Sequence, residues 1–216
     1  GTSPGNKINH IRFDNLAFMY SAWLFPARET GWYDVQANAT NYSGDGYIRG
    51  GKEDAAVIVA DAEGVEISNC TFSHLGGAGL NFRGSFKNCN IVGNHLYDLS
   101  GSGISMGVGE AEKTDYNRFV NPKENKYIRS NNLISNNLIH DVGVEYMGAT
   151  GISTSWICDS EITHNEIYNV EYSGMSIGWG WSTFAENGTG TKNLKITDNY
   201  VHETERSYLA DGGGIY

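Results

Sequence analysis

Glu171 and Asp211 each stand four residues ahead of an apolar residue, Met175 and Ile215, in a Gly-opened phrase (Gly174–Ile177 and Gly213–Tyr216). Aligned on those anchors, with Ile104 and Ile152 as earlier members, one position carries Ser100, Gly148, Glu171 and Asp211. If the phrases are adjacent strands, about 4.8 Å apart, two carboxyl groups can approach to about 5 Å. That separation suits a nucleophile and an acid/base acting on a glycosidic bond. Crowding also raises one of the two pKa values, as a proton donor requires. The plain alternatives are a turn Asp ahead of a Gly triplet and a solvated loop charge for Glu171.

Asp98 and Asp141 form a rival pair, each two residues past a closing apolar position, and Asn169 and Glu203 continue the row. Such a row is the usual signature of a hydrogen-bonded corner. Trp179 and Trp181 flank Gly180 after a core phrase. Their rings can offer an apolar platform to a sugar or pack beneath the following loop. Trp32, Tyr33 and Tyr42 are candidates for a cleft wall. Among the histidines, His140 and His202 share a repeat position two coils apart, while His74 and His164 fall elsewhere. His140 and His202 are candidates to orient a substrate hydroxyl or a carboxylate, together with Asp141. A zinc site needs convergent ligands, so no metal and no cofactor is expected.

These groups need a scaffold, and the sequence announces one by repetition. A short phrase recurs six times, at Ile11–Phe18, Val65–Phe72, Cys89–Leu96, Asn132–Ile139, Glu161–Ile167 and Leu194–Val201. Apolar and polar residues alternate within it, as in a strand with one buried face. A second strand opens with Gly at Gly79, Gly103, Gly151, Gly174 and Gly213. The closing residues Phe72, Leu96, Ile139, Ile167 and Val201 step by 24, 43, 28 and 34 positions. About 24 residues make one coil of three short strands, and longer steps are coils with inserted loops. The expectation is a single all-β solenoid over 1–216, with insertions near 20–51, 108–127 and 182–192. Two residues before the closing position stand Leu16, Cys70, Asn94, Asn137, Asn165 and Asn199. Stacking predicts an amide ladder through the last four, with Leu16 and Cys70 as apolar substitutes.

With 15 basic and 25 acidic residues the net charge is −10, which disfavours a nucleic-acid partner. Gly numbers 28 and Pro only 3, fitting many tight corners. Cys70, Cys89 and Cys158 give neither a disulfide framework nor a zinc spacing. No apolar run is long enough to span a membrane. The chain begins at Gly1 and stops at Tyr216 inside a strand phrase, which reads as a segment of a longer protein.

The phrases Asn69–Leu80, Asp98–Gly107, Tyr172–Ser182 and Asp211–Tyr216, in that order, resemble the right-handed parallel β-helix repeat proteins of polysaccharide-degrading bacteria. The resemblance covers most of Ile11–Tyr216. It implies a right-handed parallel β-helix, a polysaccharide or oligosaccharide partner, and a secreted or periplasmic location. It also implies glycoside hydrolase activity of the α-L-fucosidase or xylan-directed kind and adds weight to Asp211 as a catalytic carboxylate. Glu171 as its partner, and Trp179 and Trp181 as a sugar platform, rest on the residue pattern itself. A polysaccharide lyase is the second expectation. It needs calcium or basic residues around a uronate, and Arg83, Arg129, Lys195 and Arg206 form no column. A non-catalytic glycan-binding solenoid is the third.

Overall fold

A computed structural model describes residues 1–3, 5–27, 31–32, 34–38, 40–43, 46–49, 53–107, 129–178, 191–206 and 208–216. Three parallel sheets run the length of the molecule, and the chain visits them in turn. Sheet A holds Arg12–Asp14, Glu66–Ser68, Asn90–Val92, Leu133–Ser135, Glu161–Thr163 and Lys195–Thr197. Sheet B holds Ala17–Met19, Thr71–Leu75, His95–Leu99, Leu138–Val142, Glu166–Val170 and Tyr200–His202. Sheet C holds Ile8–Asn9, Ala55–Glu63, Ala78–Lys87, Ile104–Met106, Thr150–Thr154 and Ser173–Ile177, with Arg129–Ser130 paired to the third of these. Inside, successive coils stack like on like. Phe72, Leu96, Ile139 and Ile167, all fully buried, line sheet B, and Leu80, Ile104, Ile152 and Met175 line sheet C.

The repeated phrase proves to be two strands, not one. Between Ile67 and Cys70 the apolar spacing changes parity, and there Asn69 adopts φ 52°. His164 (φ 54°), Asn136 (φ 56°) and Asp198 (φ 54°) turn the same corner in other coils. The left-handed region suits Asn, Asp and Gly best, which explains the polar row. A second such row, Tyr20, His74, Asp98, Asp141, Asn169 and Glu203, bends the end of every sheet B strand, with all but Tyr20 polar.

The amide ladder is present. Asn94 donates its side-chain N–H to Asn137 Oδ1 (2.9 Å), Asn137 to Asn165 (2.8 Å) and Asn165 to Asn199 (2.9 Å). The same amides cap backbone carbonyls of Ile67, Ile91, Ile134 and Ile162 across the corner. Cys70 continues the line by donating its backbone N–H to Asn94 Oδ1.

The Gly at the start of four sheet C phrases, Gly79, Gly103, Gly151 and Gly174, is required by space. A Cβ on Gly151 would lie 2.6 Å from Ile167 Cγ2 and 2.7 Å from Gly174 O. Coils and the apolar lining of sheet B meet too closely there for any side chain.

Candidate active site

Residues 20–27, 34–38 and 53–54, between the first and second coils, leave the solenoid and lie as a strap along the edge where sheet B passes to sheet C. Tyr20 stacks on His74 at 5.0 Å, and Ser21 O accepts the Gly76 N–H. Trp23 then lies against Gly76 and Gly77. Farther along, Asp34 Oδ1 accepts the Gly148 N–H at 2.9 Å, and Gln36 Nε2 donates to Asp211 Oδ2 at 2.5 Å. The strap returns at Glu53, whose Oε1 accepts the Ser102 N–H at 2.7 Å. Asp54 O accepts the Ala78 N–H and closes the excursion. It crosses four strand spacings, roughly 19 Å.

The strap therefore adds acids to a row that the coils already carry. The bridge Met175↔Ile215 follows Ile104↔Ile152 and Ile152↔Met175, so the anchors behind Glu171 and Asp211 stand in successive coils in the expected register. The neighbour of Glu171 in the coil before, however, is Gly143 rather than the expected Gly148, because the longer turn there inserts residues between the sheet B strand and the anchor. Asp211 has φ 69° and is exposed. Its carboxylate takes hydrogen bonds from Gln36 and, at 3.3 Å, from the Tyr216 hydroxyl, while the Tyr172 hydroxyl donates to its backbone carbonyl. Glu171 is half-buried beside Gly143 and makes no side-chain hydrogen bond among the described residues.

Asp34 and Glu53 carry no repeat signature, and periodicity could not single them out. Much of Asp34 is open to solvent, yet the protein packed around its carboxyl raises its pKa above the ordinary carboxylate value. Desolvation is the largest cause and the charge of Glu53 adds to it, against hydrogen bonds from the Gly148 and Met147 backbone. Glu53 is fully buried, and its Oε2 has no partner among the described residues. Above them is an aromatic cluster. Trp23 meets Trp32 edge-on at 4.8 Å and Tyr146 at 5.3 Å, and Phe25 stacks on Trp23 at 5.9 Å. Burial raises the Tyr146 pKa, with smaller contributions from Glu145, Asp34 and Glu53. Trp32 thus packs edge-on against Trp23 and Phe25 in this cluster. Tyr33, the Tyr42 side chain, Trp179 and Trp181 lie outside the described residues.

His140 and His202 do share a column, with Tyr168 between them and ring centroids 4.7 and 5.0 Å apart. They occupy the outer face of sheet B rather than the acidic edge. Asp141 holds His140 Nδ1 at 2.6 Å and accepts from Asn169, as corner residues do. His95, absent from the sequence candidates, places its Nε2 2.8 Å from that of His140. Its pKa is lowered by desolvation and then by His140. Among the described residues no three His, Cys, Asp or Glu side chains gather to hold a metal.

The basic residues are engaged elsewhere. Arg83 pairs with Asp54 at 3.1 Å, buried Arg129 donates to Gly84 O and Gly107 O, and Arg206 donates to Asn169. Lys195 lies on sheet A.

A family model described as a right-handed β-helix region matches residues 34–128. The chain is a right-handed parallel β-helix. Among solved structures, one named "Glycoside hydrolase" matches it with a TM-score of 0.75 and 24% identity over 99% of this chain. The β-helix described here spans 38% of that protein's length. No curated protein matches significantly.

Proposed function

We propose that this β-helix is carbohydrate-active and carries the catalytic groove of a glycoside hydrolase, in a protein that works in the periplasm or outside the cell. What supports this is the convergence on one edge of the solenoid: Asp211, held by Gln36 and Tyr216, sits in a row with further carboxylates and next to a strap bearing aromatic rings. Asp211 is one member of the catalytic pair, and Glu171 is the register-matched candidate for the other. In such a pair one group in its acid form protonates the departing oxygen while the other, ionised, serves the anomeric carbon directly or through water. The name of the structural neighbour points the same way.

The polysaccharide lyase is the weaker reading, because Arg83, Arg129 and Arg206 are committed to Asp54, to backbone carbonyls and to Asn169. The test is hydrolysis of a panel of aryl glycosides by the full-length protein and by Asp211→Asn and Glu171→Gln. Loss of turnover in Asp211→Asn, with the circular dichroism spectrum intact, is expected. A product absorbing as an unsaturated uronate, or glycan binding without turnover in any member of the panel, would overturn the hydrolase reading.

A further inference from the structure

The geometry points to Asp34, delivered by the strap, as the proton donor that works opposite Asp211, with Glu53 as the residue that tunes it. This rests on the hydrolase reading above and names which acid acts within it.

Three observations meet at Asp34. The first is position. Asp34 and Gln36 are two residues apart, so their Cα atoms lie within about 7 Å, and Gln36 touches the Asp211 carboxylate. Fixing one end of this short segment on Gly148 and the other on Asp211, two coils farther along, places the Asp34 carboxyl on the same groove edge, about 10 Å from Asp211 along the stack. The second is anchoring. Asp34 Oδ1 accepts the Gly148 N–H at 2.9 Å, the Met147 backbone is a further donor to the carboxyl, and the residue is exposed enough for that carboxyl to meet a substrate. The third is environment. Asp34 holds its proton to higher pH than an ordinary carboxyl, chiefly through desolvation and then through Glu53. Glu53 is fully buried and its Oε1 is fixed on the Ser102 N–H, so its carboxyl keeps one place beside the site. Two carboxylates whose surroundings differ in this way divide naturally into acid and partner. Glu171, though in register, has neither an anchor nor a hydrogen bond among the described residues.

In the reaction, the bond between the anomeric carbon and the glycosidic oxygen breaks, and that oxygen takes the Asp34 proton and leaves as an alcohol. The anomeric carbon takes a hydroxyl from water. The remaining proton of that water returns to the carboxylate pair, which ends as it began.

The experiment compares leaving groups. In the full-length protein, Asp34→Asn should lose on the order of a hundredfold or more in kcat/KM on substrates with a poor leaving group, the usual scale for general acid catalysis. Dinitrophenyl glycosides, whose leaving group needs no proton, should be cleaved at close to the wild-type rate of bond breaking. Glu53→Gln keeps the acceptor for the Ser102 N–H but removes the charge. It should therefore move the alkaline limb of the kcat/KM profile to lower pH, because Asp34 then loses its proton sooner. The assignment is overturned if Glu171→Gln, rather than Asp34→Asn, shows the leaving-group dependence, or if both Asp34→Asn and Glu53→Gln leave the pH profile unchanged. If Asp211→Asn abolishes turnover in either case, the hydrolase reading stands while the role of Asp34 falls. If no glycoside is cleaved by the wild type, both fall.

Discussion

Replacing Asn137 by Ala cuts the amide ladder at its middle. Asn137 is 1% exposed and makes four side-chain hydrogen bonds. Its Oδ1 accepts from the Asn94 backbone (3.0 Å) and side chain (2.9 Å), and its Nδ2 donates to Ile91 O (3.0 Å) and Asn165 Oδ1 (2.8 Å). Alanine leaves all four partners buried and without a replacement from water. At about 1 kcal/mol of net stability each, the loss comes to about 4 kcal/mol. That is a large share of the roughly 5–15 kcal/mol that holds a domain folded. Urea unfolding followed by circular dichroism should show a lower midpoint with an unchanged slope. Asn199→Ala is the internal control, because Asn199 makes the same kinds of bond but is partly exposed, so water can replace what is lost. Its cost should be nearer 1 kcal/mol. A cost below about 1 kcal/mol for Asn137→Ala, or equal costs at the two positions, would refute the view that the ladder stabilises by satisfying buried corners.

At the strand-opening glycine, Gly151→Ala forces a methyl group to within 2.6 Å of Ile167 Cγ2 and should destabilise by about 1–3 kcal/mol. Gly5→Ala, with nothing within 4 Å, should have little effect in the same thermal melt. His95 gives a pH signature. Its folded pKa is lowered from 6.5, so below that value the unfolded chain binds more protons and stability falls as pH falls toward the folded pKa. Urea midpoints at pH 7.5 and on acidification should therefore converge in His95→Gln relative to wild type, and an identical pH dependence in the two proteins would contradict this.

The repeat made much of this structure readable in advance. Ile104, Ile152, Met175 and Ile215 could be placed in one column, and Asn94 to Asn199 in another, because a stacked coil turns sequence period into vertical neighbours. The same logic misread the phrase around Asn69 as one strand. Alternation was followed through a parity change that a left-handed residue imposes. It also overlooked His95, which meets His140 on a diagonal between columns rather than along one. Asp34, Gln36 and Glu53 lay beyond its reach for a different reason. Their positions are set by contacts to Gly148, Asp211 and Ser102. No local spacing encodes those distances. The cluster of Trp23, Phe25 and Trp32 in the first insertion was the available hint, since that many rings in a loop must cover something.

The strap also has a consequence for how the protein is made. Each winding can settle on its predecessor as soon as it leaves the ribosome, but Gln36 must wait for a partner 175 positions downstream. The cylinder therefore assembles progressively while the cleft is finished last. A nascent chain that stalls before Asp211 would already be well stacked but would leave Gln36 without that partner.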